Sequence, residues 1–123
     1  MENKFWQCPL KVERGTYEEM PESWLGATVN YYVGASTYEE ALTKAVKVLQ
    51  SVGMVFVDLV DGKVIQLNPE SWWEGYVIAN YPECSDYFPS QEQVLNVVKE
   101  GLVFHGPFAG WEHPSSTDNP LTL

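Results

Sequence analysis

The chain has 123 residues, of which 45% are hydrophobic and 14% aromatic, so it can pack one domain and general disorder is excluded. Its 17 acidic residues outnumber 7 Lys and Arg residues, which gives a formal net charge of −10. Nucleic acids and anionic membranes are themselves negative, so the charge argues against non-specific binding to either.

The first predicted elements are two strands separated by a short polar segment. Residues 5–15 indicate a short strand. Pro9 predicts that this strand lies at a sheet edge or contains a bulge, because proline has no amide hydrogen to donate. Pro21 leaves room for only one turn of helix in the segment that follows. Residues 28–35 alternate between two faces and predict a second strand.

Residues 37–52 carry the clearest helical pattern in the chain. Thr37 and Glu40 have the spacing of a capping box at its start. Gly53 stands where a left-handed C-terminal cap is expected. The apolar positions that recur with the helical period are Leu42, Ala45, Val46 and Leu49.

Residues 54–67 predict a β-hairpin, because two runs of β-branched residues flank an Asp-Gly pair. Asp61 and Gly62 would form its type I′ turn. The cross-strand pairs expected from that turn are Leu59 with Val64 and Phe56 with Leu67.

A second helix and a last strand are predicted near the C-terminal end. Residues 90–100 show a capping box at Ser90 and Gln93, and Gly101 supplies the C-terminal cap. Residues 102–108 predict a strand that tolerates Pro107 because it lies at a sheet edge.

The order of these elements predicts an α+β fold with a ferredoxin-like (split βαβ) antiparallel sheet, two helices and an extra N-terminal strand. Residues 1–112 would form this single domain. Residues 113–123 are polar and contain proline, and we expect them to be a flexible tail.

Several kinds of chemical site lack their usual residue patterns. Cys8 and Cys84 have no zinc-finger spacing and are expected to be free thiols. His105 and His113 lie near no nucleophile motif, and with Glu112 they match no metal-ligand spacing. Glycine-rich phosphate cradles are absent. We therefore expect no metal, no cofactor and no catalytic residue.

Residues 68–89 are unusual, because they combine aromatic and acidic side chains and contain no Lys or Arg. Part of the segment, Trp72–Tyr81, could form another strand or continue the hairpin, and the rest is predicted to be loop. Aromatic side chains provide contact area in interfaces, and acids attract a basic partner. The alternative is a strand with an acidic solvated face. The predicted partner-binding residues are Glu70, Trp72, Trp73, Glu74, Glu83, Asp86 and Tyr87.

The leading functional hypothesis is a small acidic protein-binding module that occupies a basic surface of a partner protein. It could be an immunity-type inhibitor of a toxin nuclease or a DNA mimic, and its size and charge resemble those of small bacterial inhibitors of these kinds. Its partner would be a basic protein, a toxin or a DNA-binding protein, and not nucleic acid or membrane. No membrane span or secretory signal is predicted, so we expect a cytoplasmic protein.

Two other functions stay open. One is a small-molecule-binding regulatory domain of the ferredoxin-like kind, with an apolar pocket lined by Tyr32, Trp72 or Phe104. The other is an enzyme that uses His105 with Cys84 or Asp86.

Overall fold

An antiparallel sheet organises the computed structural model, which describes residues 2–112 and 121–122. The six strands lie in the order β3-β1-β2-β5-β6, and β4 also pairs with β1. Helices pack on the sheet, so the fold belongs to the α+β class. The strands are β1 (Lys4–Glu13), β2 (Trp24–Ala35), β3 (Val55–Leu59), β4 (Ile65–Leu67), β5 (Val103–Glu112) and β6 (Leu121–Thr122).

The helix α1 (Tyr38–Ser51) covers one face of the sheet. The Thr37 hydroxyl accepts a hydrogen bond from the Glu40 backbone N–H, which forms one half of the predicted capping box, while the Glu40 carboxylate contacts Ser36 and Lys44 instead. Side chains alternate along a strand, so every second residue of β1 and β2 points toward this helix. The resulting first core joins Trp6, Cys8, Leu10, Val12, Val29, Tyr31 and Val33 to Ala41, Ala45 and Leu49.

The opposite face is covered by α3 (Gln91–Glu100) and by a run of short helices. Both hydrogen bonds of the capping box between Ser90 and Gln93 are formed, and Gly101 adopts the left-handed conformation at φ 66°, as predicted. The run comprises a 3-10 turn (Pro69–Ser71), a π-helix (Trp72–Val77), α2 (Ile78–Asn80) and a second 3-10 turn (Pro82–Tyr87). The prediction of a strand within Trp72–Tyr81 was therefore wrong.

The predicted hairpin at residues 54–67 is also wrong. Asp61 and Gly62 have the positive φ values that a type I′ turn needs, but β3 and β4 do not pair with each other. Both strands pair with β1 along the same edge, β3 opposite Leu10–Glu13 and β4 opposite Phe5–Gln7. An isolated hairpin is marginal in water, and each strand gains a partner in a larger sheet by this arrangement.

The N-terminal strand occupies a central position in the sheet, between β2 and the edge formed by β3 and β4. The predicted edge position of Pro9 was therefore wrong, but the alternative of a bulge in this strand agrees with the register shift of β1 against β3 between Lys11 and Val12. Its missing N–H is tolerated because the ladder on that side stops at Gln7 and resumes at Leu10. This strand order does not confirm the ferredoxin-like arrangement. Pro107 lies with Gly106 in a bulge of β5, opposite the single residue Asn30.

Residues 113–120 and 123, on which most of the predicted flexible tail falls, lie outside the described residues. Leu121–Thr122 pairs with β5 at Gly110 and Ala109. Within the described part of the chain, no helix combines the length and the apolar character that crossing a membrane requires.

Candidate functional site: an acidic helical segment beside an open groove

The run of short helices, Pro69–Tyr87, is named the acidic segment here. The carboxylates of Glu70, Glu74, Glu83 and Asp86 are all exposed on it. None of these four carboxylates has a Lys or Arg partner in the part of the chain that the structure describes. By contrast, Glu40 on α1 forms an ion pair with Lys44 at 3.4 Å. The acidic segment therefore presents uncompensated negative charge to the solvent.

Trp72, predicted to contact a partner, is part of the core with only 1% of its surface exposed. Its indole Nε1 donates a hydrogen bond of 2.9 Å to the Pro89 carbonyl. Its rings stack on Tyr76, with centroids 5.0 Å apart, and meet the edge of Tyr32 at 5.2 Å. Trp72 is thus inaccessible to a partner. Its large apolar side chain instead fixes the acidic segment to the sheet.

The sequence holds a signal for this burial that the prediction of a strand obscured. Trp72 and Tyr76 have the i, i+4 spacing of one helix face, and both pack in the second core with Val77, which the wider turn of the π-helix brings near Trp72. Gly75 and the prolines at 69 and 82 break that pattern into short turns. The second core also contains Phe5, Tyr32, Phe88, Val94 and Phe104.

Two other predicted residues differ in accessibility. Trp73 is half-buried against the second core, and its backbone N–H donates to the Gln91 side-chain oxygen at 3.0 Å. Tyr87 is 51% exposed, and its hydroxyl lies 3.4 Å from the Gly106 carbonyl of β5. Tyr87 is therefore the predicted aromatic residue that remains available to a partner.

A partly buried chain of polar groups fixes the acidic segment to the sheet. The Tyr32 and Tyr76 hydroxyls are 2.7 Å apart, and Tyr76 donates to the Gln7 side-chain oxygen at 3.1 Å. The Gln7 amide in turn donates to Asn30 at 3.2 Å. Burial raises the pKa of both tyrosines well above the ordinary value, so they stay neutral. This network holds the segment in one position against the sheet.

A groove of about 890 Å³ runs between α3 and β5, next to the end of the acidic segment. Phe104 and Val97 provide its apolar surface, and Glu92, Gln93 and Asn96 provide polar groups. Tyr87, Phe88, Pro89 and His105 complete the lining. Of the three residues that the sequence suggested as pocket lining, Phe104 lines this groove, whereas Tyr32 and Trp72 are fully buried.

His105 has a defined hydrogen-bond geometry at this groove. Its Nδ1 lies 2.8 Å from the Gly106 carbonyl, which can only accept, so we assign the proton of the neutral ring to Nδ1. Nε2 then carries the lone pair. The groove lining includes no Ser, Thr or Cys, so no nucleophile accompanies this base.

A smaller hollow of about 240 Å³ continues from the groove past Tyr87 and His105 to Tyr17 and Glu19. The Tyr17 hydroxyl donates to the Glu19 carboxylate at 2.8 Å. Burial, followed by this carboxylate, raises the pKa of Tyr17 to about 12. Glu19 and Glu92 therefore lie on opposite sides of the pair formed by Tyr87 and His105.

The cysteines lie apart from this site. Cys8 is buried in the first core, and desolvation raises the pKa of its thiol to about 12. Cys84 is exposed on the acidic segment. Among residues 2–112 and 121–122, no three His, Cys, Asp or Glu side chains are grouped so as to hold a metal ion.

Comparison of the chain with protein-family models, with curated proteins and with solved structures found no match.

Proposed function

We propose that the protein is an acidic protein-binding module that occupies a basic surface of a partner protein. The observation that carries the proposal is the set of exposed, unpaired carboxylates on the acidic segment, at Glu70, Glu74, Glu83 and Asp86. The segment is anchored by Trp72 and the hydrogen-bonded tyrosines, so these charges are preorganised. Preorganised charge raises the association rate with an oppositely charged surface.

Tyr87 supplies the second component that a protein interface needs. Charged pairs at the rim of an interface contribute mainly to rate and specificity, and aromatic side chains contribute much of the affinity. Tyr87 is half-exposed and adjoins Asp86, so one contact surface contains both components. Trp72 has a different role in this proposal, because it holds the segment in place from inside.

Two kinds of partner fit this surface, and they differ in a measurable property. An immunity-type inhibitor would cover the basic active site of a toxin nuclease, and the complex would lack nuclease activity. A DNA mimic would present carboxylates in place of phosphates, and duplex DNA would displace it from its partner. Adding a DNA duplex and a nuclease substrate to the purified complex distinguishes the two.

The test compares two variants with the same change in net charge. The first carries Glu70→Gln, Glu74→Gln, Glu83→Gln and Asp86→Asn. The control carries Glu18→Gln, Glu22→Gln, Glu39→Gln and Asp61→Asn, all at exposed positions outside the acidic segment. The partner is isolated by affinity capture with the unmodified chain, and its kinetics are measured at low and high salt.

We expect the first variant to associate about tenfold or more slowly, and the control to stay within about threefold of the unmodified chain. High salt should remove most of the difference, because it screens exposed charges. Equal rates for both variants, or association that does not depend on salt, would refute the proposed function.

A further inference from the structure

The outer edge of β5 has free backbone groups along the groove. Gly34 donates to the Leu102 carbonyl at 3.0 Å, which makes the next pair, Val33 and Val103, a non-hydrogen-bonded pair of the antiparallel ladder. Because the pattern alternates, the backbone N–H and C=O of Val103 and His105 point away from β2. Within residues 2–112 and 121–122, β6 pairs with β5 only at Ala109 and Gly110, so these four groups have no partner there.

The groove leaves space for another strand beside this edge. Phe104 and His105 of β5 form one side of its 890 Å³ volume, and α3 forms the other side with Glu92 and Asn96. The bulge at Gly106 and Pro107 ends the regular edge, so an added strand would pair over about four residues. Free strand edges that adjoin a groove are used by many proteins to bind extended peptides.

The acidic side chains around this edge favour a basic occupant. Successive side chains of an added strand would point to opposite faces of the sheet. Glu92 lies on one of these faces, and Glu19 lies on the other, in the hollow beyond His105. Neither the groove nor this hollow has a Lys or Arg in its lining. A basic strand would thus meet a carboxylate on either face.

We propose that the outer edge of β5 at Val103 and His105 binds an extended basic segment of the partner protein as an added strand, with Glu19 and Glu92 contacting its cationic side chains. This inference rests on the proposed function, since it names how the basic partner docks. A second copy of the chain is a poorer occupant, because both copies would bring net charge −10 and acidic flanks to the contact.

The test uses a synthetic peptide of six residues, Arg-Arg-Val-Val-Arg-Arg, which places Arg on both faces of an extended strand, and a control in which Glu replaces Arg. Two further peptides carry N-methyl groups on alternate amides, one at the odd positions and one at the even positions. Affinity is measured by titration, and hydrogen exchange of the Val103, Phe104 and His105 amides is followed by NMR.

We expect the Arg peptide to bind and to slow exchange of the Val103 and His105 amides by about tenfold or more. The Phe104 amide already faces β2 and serves as the control that stays unchanged. One of the two N-methylated peptides should lose about tenfold in affinity, and the other should keep it, because only alternate amides face β5. Glu19→Gln and Glu92→Gln should each weaken binding by about two- to fivefold, while Glu22→Gln should not.

Other outcomes would overturn the inference in distinguishable ways. If the Arg peptide perturbs only the amides of the acidic segment, strand addition is refuted and the proposed function stands. If the Arg peptide does not bind, but the variant of the acidic segment still associates more slowly with the isolated partner, strand addition at β5 is refuted and the proposed function stands. If the Val103 and His105 amides are protected without peptide and the chain sediments as a dimer, the occupant is a second copy.

Discussion

Replacing Trp72 with Ala tests whether this residue anchors the acidic segment or faces a partner. The structure leaves 1% of Trp72 exposed and surrounds it with Phe5, Tyr32, Tyr76 and other rings of the second core. Truncating a fully buried tryptophan removes its transfer free energy and leaves a cavity, at a cost of about 3–5 kcal/mol. The variant also leaves the Pro89 carbonyl without its hydrogen bond from Nε1.

We expect a loss of about 4 kcal/mol in the free energy of unfolding, a large part of the roughly 5–15 kcal/mol that holds a domain together. For a chain of this size it corresponds to a decrease in Tm of about 15 °C. Trp73→Ala is the matched control, and it should cost less because Trp73 is only half-buried.

Urea unfolding followed by far-ultraviolet circular dichroism measures both variants without relying on tryptophan fluorescence. A loss below about 1 kcal/mol for Trp72→Ala, or a larger loss for Trp73→Ala, would contradict this assignment. Either result would favour the role that the sequence predicted for Trp72, which is contact with a partner at the surface.

Four further predictions concern Ser90, Gly34 and the two cysteines. Ser90→Ala should destabilise by about 1 kcal/mol in urea unfolding, because the capping box of α3 loses its acceptor, and an unchanged midpoint would contradict it. Gly34→Ala should cost about 2 kcal/mol or more in the same assay, since its Cβ would lie 2.5 Å from the Val97 carbonyl oxygen; a neutral effect would show that α3 can shift. A thiol reagent should modify Cys84 and spare Cys8 in the native protein. Because burial raises the Cys8 pKa from 9.0 to about 12, this thiol should lower stability by up to about 1.4 kcal/mol for each pH unit over that range. Buried tyrosines such as Tyr32 and Tyr76, whose pKa values are also raised, act in the same direction above pH 10.0, so Cys8→Ala should reduce the slope mainly between pH 9.0 and 10.0.

Local signals predicted the elements that depend on neighbouring residues. The capping box at Ser90 is complete and the one at Thr37 is half formed, because capping requires only residues within one helical turn. The alternation of residues 28–35 marks β2, whose two faces are both buried. The α+β fold class could be predicted from these elements, but the order of the strands in the sheet could not.

The failed predictions concern contacts between distant residues. The Asp61-Gly62 pair predicts that the chain reverses direction. Whether β3 and β4 pair with each other depends also on β1, which is distant in sequence and pairs with both strands. Likewise, exposure of an aromatic side chain depends on the surface it can reach. Trp72 is buried because Phe5 and Tyr32 form an aromatic face on the sheet. The spacing of Trp72 and Tyr76 indicates one face of a helix, but no local pattern identifies the surface against which that face packs.

The candidate site likewise has one feature that could be predicted from local sequence and one that could not. Exposure of Glu70, Glu74, Glu83 and Asp86 follows from their charge, since carboxylates without a partner are costly to bury. The groove could not be predicted, because it lies between α3 and the free edge of β5 and depends on the packing of both.

The central place of β1 has a consequence for the protein during its synthesis on the ribosome. β1 and β2 emerge first, and their long antiparallel pairing can form early, but the outer edge of β1 waits for β3 and β4 and the outer edge of β2 waits for β5. Until then the nascent chain exposes unpaired edges and the aromatic side chains Phe5 and Tyr32. Slow elongation before residue 103 would prolong this interval, so chaperone engagement and yield in cells should respond to codon choice in that region.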